Sequence, residues 1–165
     1  FGNHPHYGQF LPNCSFHRIE SAKVPFVEDN SLDGAVANFV LCTIKDDSEI
    51  VKIGKEIRRM LKPGAPLVLC DPHPNSIGKD YVSFKRETIE NLTSRVSVAV
   101  RFSGIPNTFY DYWRGKNDYL ALLKEAGYSN VQMIEPVVNE EWRKDELFWR
   151  DERKHSPFLI IKAKK

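Results

Sequence analysis

The sequence predicts an α/β fold with a mostly parallel sheet, and three observations carry that expectation. Leu61-Lys62-Pro63-Gly64 closes a helix on a Lys-Pro-Gly turn and leads directly into the apolar Leu67-Val68-Leu69-Cys70, which stops at Asp71-Pro72. A helix that ends so and feeds a buried strand is a crossover connection of a parallel sheet. Upstream, residues 34–41 run apolar with no alternation of polar positions, the pattern of a strand covered on both faces. Between these strands Ile50, Ile53, Ile57 and Leu61 recur at helical spacing, so one helix joins two strands.

Taken in order, residues 15–20 read as a short strand, 24–30 as a turn-rich connection and 34–41 as a buried strand. Asp46, with Glu49 three residues on, supplies an N-cap for the helix. Its cations Lys55, Arg58, Arg59 and Lys62 read as a solvated face and a last turn suited to the macrodipole. Residues 67–70 form the next strand. From 72 to 112 the pattern loosens, and within it Arg95-Val96-Ser97-Val98-Ala99-Val100-Arg101 alternates as a half-exposed strand. Gly104-Ile105-Pro106-Asn107 can turn it into a second strand through Phe109 and Tyr110. Asn117 or Asp118 can cap a helix that turns Leu120, Leu123 and Ala126 inward and stops at Gly127. A strand follows from Val131, residues 140–154 read as an amphipathic helix, and 158–161 as the last strand.

Composition sets outer limits. At 165 residues with 41% hydrophobic content the chain suits one domain, 1–165, and shows neither a transmembrane run nor a signal peptide. A formal charge of +2 gives no nucleic-acid-sized electrostatic footprint. Cys14, Cys42 and Cys70 are odd in number, widely spaced and set in or beside apolar runs, which points to reduced thiols of a cytoplasmic protein. His4-Pro5-His6 lacks further ligands at plausible spacing, so no metal is expected.

From Glu20-Ser21 through Val24-Pro25-Phe26, Asp29-Asn30-Ser31-Leu32-Asp33 and the strand to Leu61-Lys62-Pro63-Gly64 and Asp71, the order of segments resembles class I S-adenosylmethionine-dependent methyltransferases of the small-molecule type. Ser21, Leu32 and Ala65 depart from that family's usual Ala, Phe and Gly. The resemblance implies a Rossmann-like sheet with an antiparallel last strand, S-adenosylmethionine as cofactor and a small-molecule acceptor. It implies that Glu20 accepts from the adenine amine, that Ser21 offers its backbone amide to the ring, and that Asn38 and Phe39 pass beneath the cofactor. It further implies that residues 72–114 are a lid or substrate insertion. The family's Gly-rich turn is absent from this sequence, and Gly2 falls where the family has a ribose-binding acid. The expectation is a chain that begins partway through the cofactor-binding half, lacking the first strand and most of the second.

Four further readings concern chemistry. Asn38 stands in an apolar run, and an amide buried there needs a partner. His73, just beyond a strand end, is the candidate general base, and its plainer reading is a loop histidine between prolines. Tyr110, Tyr112 and Trp113, with Arg114, form either an apolar substrate wall or a satellite core. The alternative to an enzyme is a non-catalytic module of the same fold with a protein partner. A nucleotide-binding oxidoreductase is disfavoured because its dinucleotide fingerprint is missing.

Overall fold

The computed structural model describes residues 13–144 and 148–165. In chain order these form β1 (Ala35–Asn38), α1 (Asp47–Met60), β2 (Pro66–Pro72), β3 (Phe84–Arg86), β4 (Ser97–Phe102), β5 (Thr108–Tyr112), α2 (Lys116–Glu125), β6 (Ser129–Ile134) and β7 (Phe158–Lys164). The main sheet has the order β1-β2-β7-β6. β1 and β2 run parallel, in register from Ala35 opposite Leu67 to Asn38 opposite Cys70. β7 lies antiparallel to both β2 and β6, as expected of the last strand. β3, β4 and β5 make a separate antiparallel sheet inside the excursion after β2, and β4 and β5 are the hairpin that the alternation and the Gly104 turn predict.

One face of the main sheet is covered by both helices. Leu67 and Leu69 of β2 and Leu159, Ile161 and Ala163 of β7 point into a core completed by Ile50, Val51, Tyr119, Leu122, Leu123 and Ala126. Alternation along β2 puts 67, 69 and 71 on that face because side chains in a strand point to opposite sides in turn. α1 begins at Asp46, whose carboxylate accepts from the Ser48 amide at 2.8 Å, satisfying an orphan donor of the first turn. α1 and α2 meet closely at Gly54, where an added Cβ would stand 2.9 Å from that of Ala126. The chain leaves α2 through Gly127 at φ +90°, the left-handed conformation that glycine adopts without steric cost.

The structure departs from the sequence reading in five places. β1 is four residues long and its exposure alternates, with Asn38 exposed rather than buried, because the strand is paired on one side only among the described residues. Residues 15–20 form no strand, since no neighbouring strand among the described residues offers them a hydrogen-bonding edge. The cap of α2 is Gly115, with Asp118 as its third residue accepting from the Gly115 amide at 2.8 Å; the inward stripe is Tyr119, Leu122, Leu123 and Ala126, and Leu120 is exposed. The described part of 140–154 holds two short 3-10 turns (Trp142–Lys144 and Asp151–Arg153) instead of a continuous helix. There Asp151 and Glu152 accept from the amides of Asp80 and Val82 at 2.7 and 2.6 Å, so tertiary bonds set the local path. Finally, Arg58 and Arg59 do more than face water. Arg58 donates to the Gly127 carbonyl at 2.9 Å, and Arg59 donates to the carbonyls of Val24 and Val27 at 3.1 and 2.9 Å.

Candidate functional site

In open α/β sheets ligands collect at the carboxyl ends of the strands. Here that rim consists of Asn38, which ends β1, with Phe39 just after it, and of Asp71 and Pro72, which end β2, with His73 just after them. Phe39 takes φ +54°, a left-handed conformation costly for an aromatic residue, while its amide donates to the Cys70 carbonyl at 2.7 Å. The strained residue turns the chain off the sheet and into a 3-10 turn at Leu41–Thr43. Arg114, only 2% exposed, holds this turn from the other side of the excursion. Its guanidinium donates to the carbonyls of Leu41, Ile44 and Lys45 at 3.1, 2.7 and 3.1 Å and to Asp47 Oδ1 at 2.9 Å.

Between this rim and the β3-β4-β5 sheet lies a cavity of about 390 Å³. Its aromatic walls are Phe39, Phe84, Phe102, Phe109, Tyr110 and Phe158. Phe158, the first residue of β7, stacks on Phe84 at 5.6 Å and meets Phe39 edge-on at 5.5 Å, so it joins the rim to the small sheet. Phe102 and Phe109 meet edge-on at 5.5 Å across the β4–β5 hairpin. Cys42, Thr43, Ser83 and Asp111 supply the polar part of the lining. Burial and the neighbouring Asp71 and Asp111 carboxylates push the Cys42 thiol up, which keeps it protonated and poorly nucleophilic. Asp111 is buried and paired with Arg86 at 2.6 Å. Arg86 also donates to Ser76 Oγ at 3.0 Å and to the His73 carbonyl at 3.3 Å, which ties the small sheet to the segment after β2.

The expected site residues are dispersed. Asn38 and Phe39 stand together on the rim, and Phe39 also lines the cavity. Tyr110 lines the cavity as well, whereas Tyr112 and Trp113 lie outside its lining; Trp113 Nε1 instead donates to the Pro74 carbonyl at 2.9 Å. Glu20 and Ser21 sit on an exposed coil, with Glu20 3.6 Å from Arg18 and Ser21 Oγ accepting from the Lys23 amide at 3.2 Å. The loop that follows is fastened to α1 by the Val24 amide donating to Glu56 at 2.8 Å and by the Arg59 bonds. The Arg59 guanidinium and the Val24 amide, both donating to Glu56, hold its carboxyl down at about 2. His73 is buried and both ring nitrogens are engaged: Nδ1 accepts from the Asn75 amide at 3.0 Å and Nε2 lies 2.9 Å from Glu135. Burial moves its pKa below the ordinary value, favouring the neutral ring. The sequence reading missed Phe84, Phe102, Phe109 and Phe158 as walls, and only the alternation of β4 hinted at a second aromatic face.

Asp71 sits 2% exposed at the end of β2, accepting from the Tyr119 hydroxyl at 3.1 Å, with its other oxygen unpaired among the described residues. Burial raises its pKa to about 6. A carboxyl raised in the folded state binds its proton more tightly there than in the unfolded chain, so it favours folding increasingly as pH falls through about 6. Relative to Asp71→Asn, the wild type should therefore gain about 2–3 kcal/mol between pH 7 and pH 4. Urea titrations of both proteins across that range test this, and a constant difference would refute it.

A methyltransferase-domain family model matches residues 4–69. N-demethylindolmycin N-methyltransferase of Streptomyces griseus is 27% identical over 124 residues, which is 73% of this chain and 52% of that enzyme. The chain thus spans about half the length of this curated relative. Among solved structures, an S-adenosylmethionine-dependent methyltransferase from Mesorhizobium loti matches with a TM-score of 0.62 at 14% identity, over 92% of this chain and 69% of its own. A Pyrococcus horikoshii protein matches at 0.60 and 16% identity over 97% and 64%, and a Methanosarcina mazei S-adenosylmethionine-dependent methyltransferase at 0.55 and 20% over 90% and 66%. At these identities the structural likeness speaks for the fold, and the sequence matches are similarities to methyltransferases. The order β1-β2-β7-β6 with β7 reversed and the crossover through α1 give this chain the Rossmann-like fold of the class I S-adenosylmethionine-dependent methyltransferases, and residues 4–69 are similar to the methyltransferase domain.

Proposed function

We propose that the whole protein transfers a methyl group from S-adenosylmethionine to a small molecule, and that the aromatic cavity receives the acceptor under a lid formed by residues 72–114. The observation that carries this reading is the position of the cavity: it opens at the carboxyl ends of β1 and β2 and shares Phe39 with the rim assigned to the cofactor. Glu20, Ser21, Asn38 and Phe39 suit the cofactor in chemical type, since they pair an exposed carboxylate and a polar amide with an apolar ring. The cofactor would supply the electrophilic methyl group, and the chain's own residues would orient and desolvate its acceptor.

The cavity offers little acid–base chemistry. Asp111 is paired with Arg86, Cys42 is a protonated thiol, and His73 lies outside the lining with both nitrogens engaged. We therefore read His73 as positioning the segment after β2, with the imidazole as base the weaker alternative. Proximity and orientation carry the rate in such a site, and an acceptor with its own lone pair suits it. The name of the Streptomyces relative, an N-methyltransferase, agrees with a nitrogen acceptor. A cytoplasmic location is part of the same reading; among the described residues no helix is long and apolar enough to cross a membrane.

Calorimetric titration with S-adenosylhomocysteine tests the cofactor half. Saturable binding is expected, weakened about tenfold in Glu20→Ala through loss of a hydrogen bond to a charged group. Equal binding by the variant removes Glu20 from the site. Failure to bind by a chain shown folded by circular dichroism favours the non-catalytic module instead.

A further inference from the structure

We infer that the cavity selects an uncharged, planar aromatic acceptor and rejects anionic ones. This rests on the preceding reading of the cavity as the acceptor site and specifies its substrate class. Six aromatic side chains line it, and two of them, Phe109 and Tyr110, are 45% and 66% exposed. Exposed rings grouped around a concave space are where a flat apolar ligand gains most from leaving water. The volume of about 390 Å³ lies within the usual range for small-molecule sites.

Charge sharpens the choice. Among the described residues the lining contains no Lys, Arg or His, and its one carboxylate, Asp111, is buried against Arg86. Arg86 lies outside the lining with its charge committed to Asp111 and further donors to Ser76 and His73. A carboxylate, phosphate or sulfate entering the cavity would lose its water and meet no free cation among the described residues of the lining, a costly exchange. The polar groups of the lining are few: Cys42 and Thr43 on the turn that follows Phe39, Ser83 just before β3, and the paired Asp111. Thr43 Oγ1 donates to the Val40 carbonyl at 2.7 Å, which commits its hydroxyl hydrogen within the turn.

Quinoline and quinoline-2-carboxylate are suitable probes, titrated calorimetrically into this chain with and without saturating S-adenosylhomocysteine. The expected result is saturable quinoline binding in at least one of the two conditions. It should weaken about tenfold in Phe109→Ala, and the carboxylate should bind at least about tenfold more weakly than quinoline. Tyr110→Ala, at the more exposed ring, serves as the second variant should Phe109→Ala lose its fold by circular dichroism. Absence of quinoline binding in both conditions, or equal or tighter binding of the carboxylate, overturns the inference. So does a concentration-dependent dimer abolished by Tyr110→Ala, which would assign the exposed rings to a second copy. Cofactor binding is read separately in the same titrations: its failure alone counts against the methyltransferase reading, and failure of quinoline alone against the aromatic acceptor.

Discussion

Arg114→Met should lower the unfolding free energy by about 3–5 kcal/mol, the range for removing one partner from a buried ionic network. The Arg114 side chain is fully buried, and its guanidinium serves three carbonyls between Leu41 and Lys45 as well as Asp47. Methionine fills much of the volume and supplies no donor, so those carbonyls are left without their partner in a place water reaches poorly. Asp47 is 22% exposed at its side chain and retains Arg95, so the larger part of the loss falls on the turn. Because a domain of this size is stable by only about 5–15 kcal/mol, the variant should be near the threshold of folding. Arg114→Lys should recover little, since one ammonium cannot reproduce the planar fork that reaches carboxylate and carbonyls at once. Urea unfolding measures the effect, and a loss below about 1 kcal/mol would mean that the turn is held by other contacts. As the turn carries Cys42 and Thr43 to the cavity, a folded Arg114→Met should also bind quinoline less well.

The second large effect concerns the pair beneath the cavity. Arg86→Met should cost about 3–5 kcal/mol by leaving Asp111 buried without a cation, whereas Arg86→Met/Asp111→Leu should recover most of that loss. The cycle isolates the coupling because the residues touch directly, at 2.6 Å. Its pH dependence follows from the charge. Burial already moves the Asp111 carboxyl above its ordinary pKa and Arg86 draws it back down, so in Arg86→Met it should rise further. The folded single variant then binds a proton more tightly than its unfolded chain, and its stability should rise as pH falls from neutrality, more steeply than that of the wild type. The double variant, lacking the carboxyl, should lose that extra slope. Equal stability of the single and double variants at pH 7 would show that water reaches Asp111 and that the pair contributes little.

Much of the fold is legible in local pattern. The crossover from α1 through Lys62-Pro63-Gly64 into β2, the cap at Asp46, the β4–β5 hairpin and the left-handed Gly127 are all decided within about a dozen residues by periodicity, caps and turn chemistry. The resemblance to methyltransferases was legible from the same window. What remained out of reach depends on neighbours distant in sequence. Whether 15–20 becomes a strand, and whether Asn38 is buried, depends on which edges are available for pairing, and no single strand encodes that. Arg59 looked like a surface cation because its partners Val24 and Val27 lie 35 and 32 residues away.

The site divides in the same way. By itself the sequence determined the α/β class and the sense of the crossover that sets where ligands gather, since both follow from short-range pattern, while its resemblance to methyltransferases pointed to Asn38 and Phe39. Only the tertiary structure decided that Phe158 closes the same aromatic space as Phe39, Phe84 and Tyr110, that His73 is buried with both nitrogens engaged, and that Asp111 faces Arg86 instead of a ligand. The physical reason is that apolar burial and ion pairing carry no directional code along the chain: a phenylalanine is core or wall, and a carboxylate partner or base, according to what the rest of the fold sets against it.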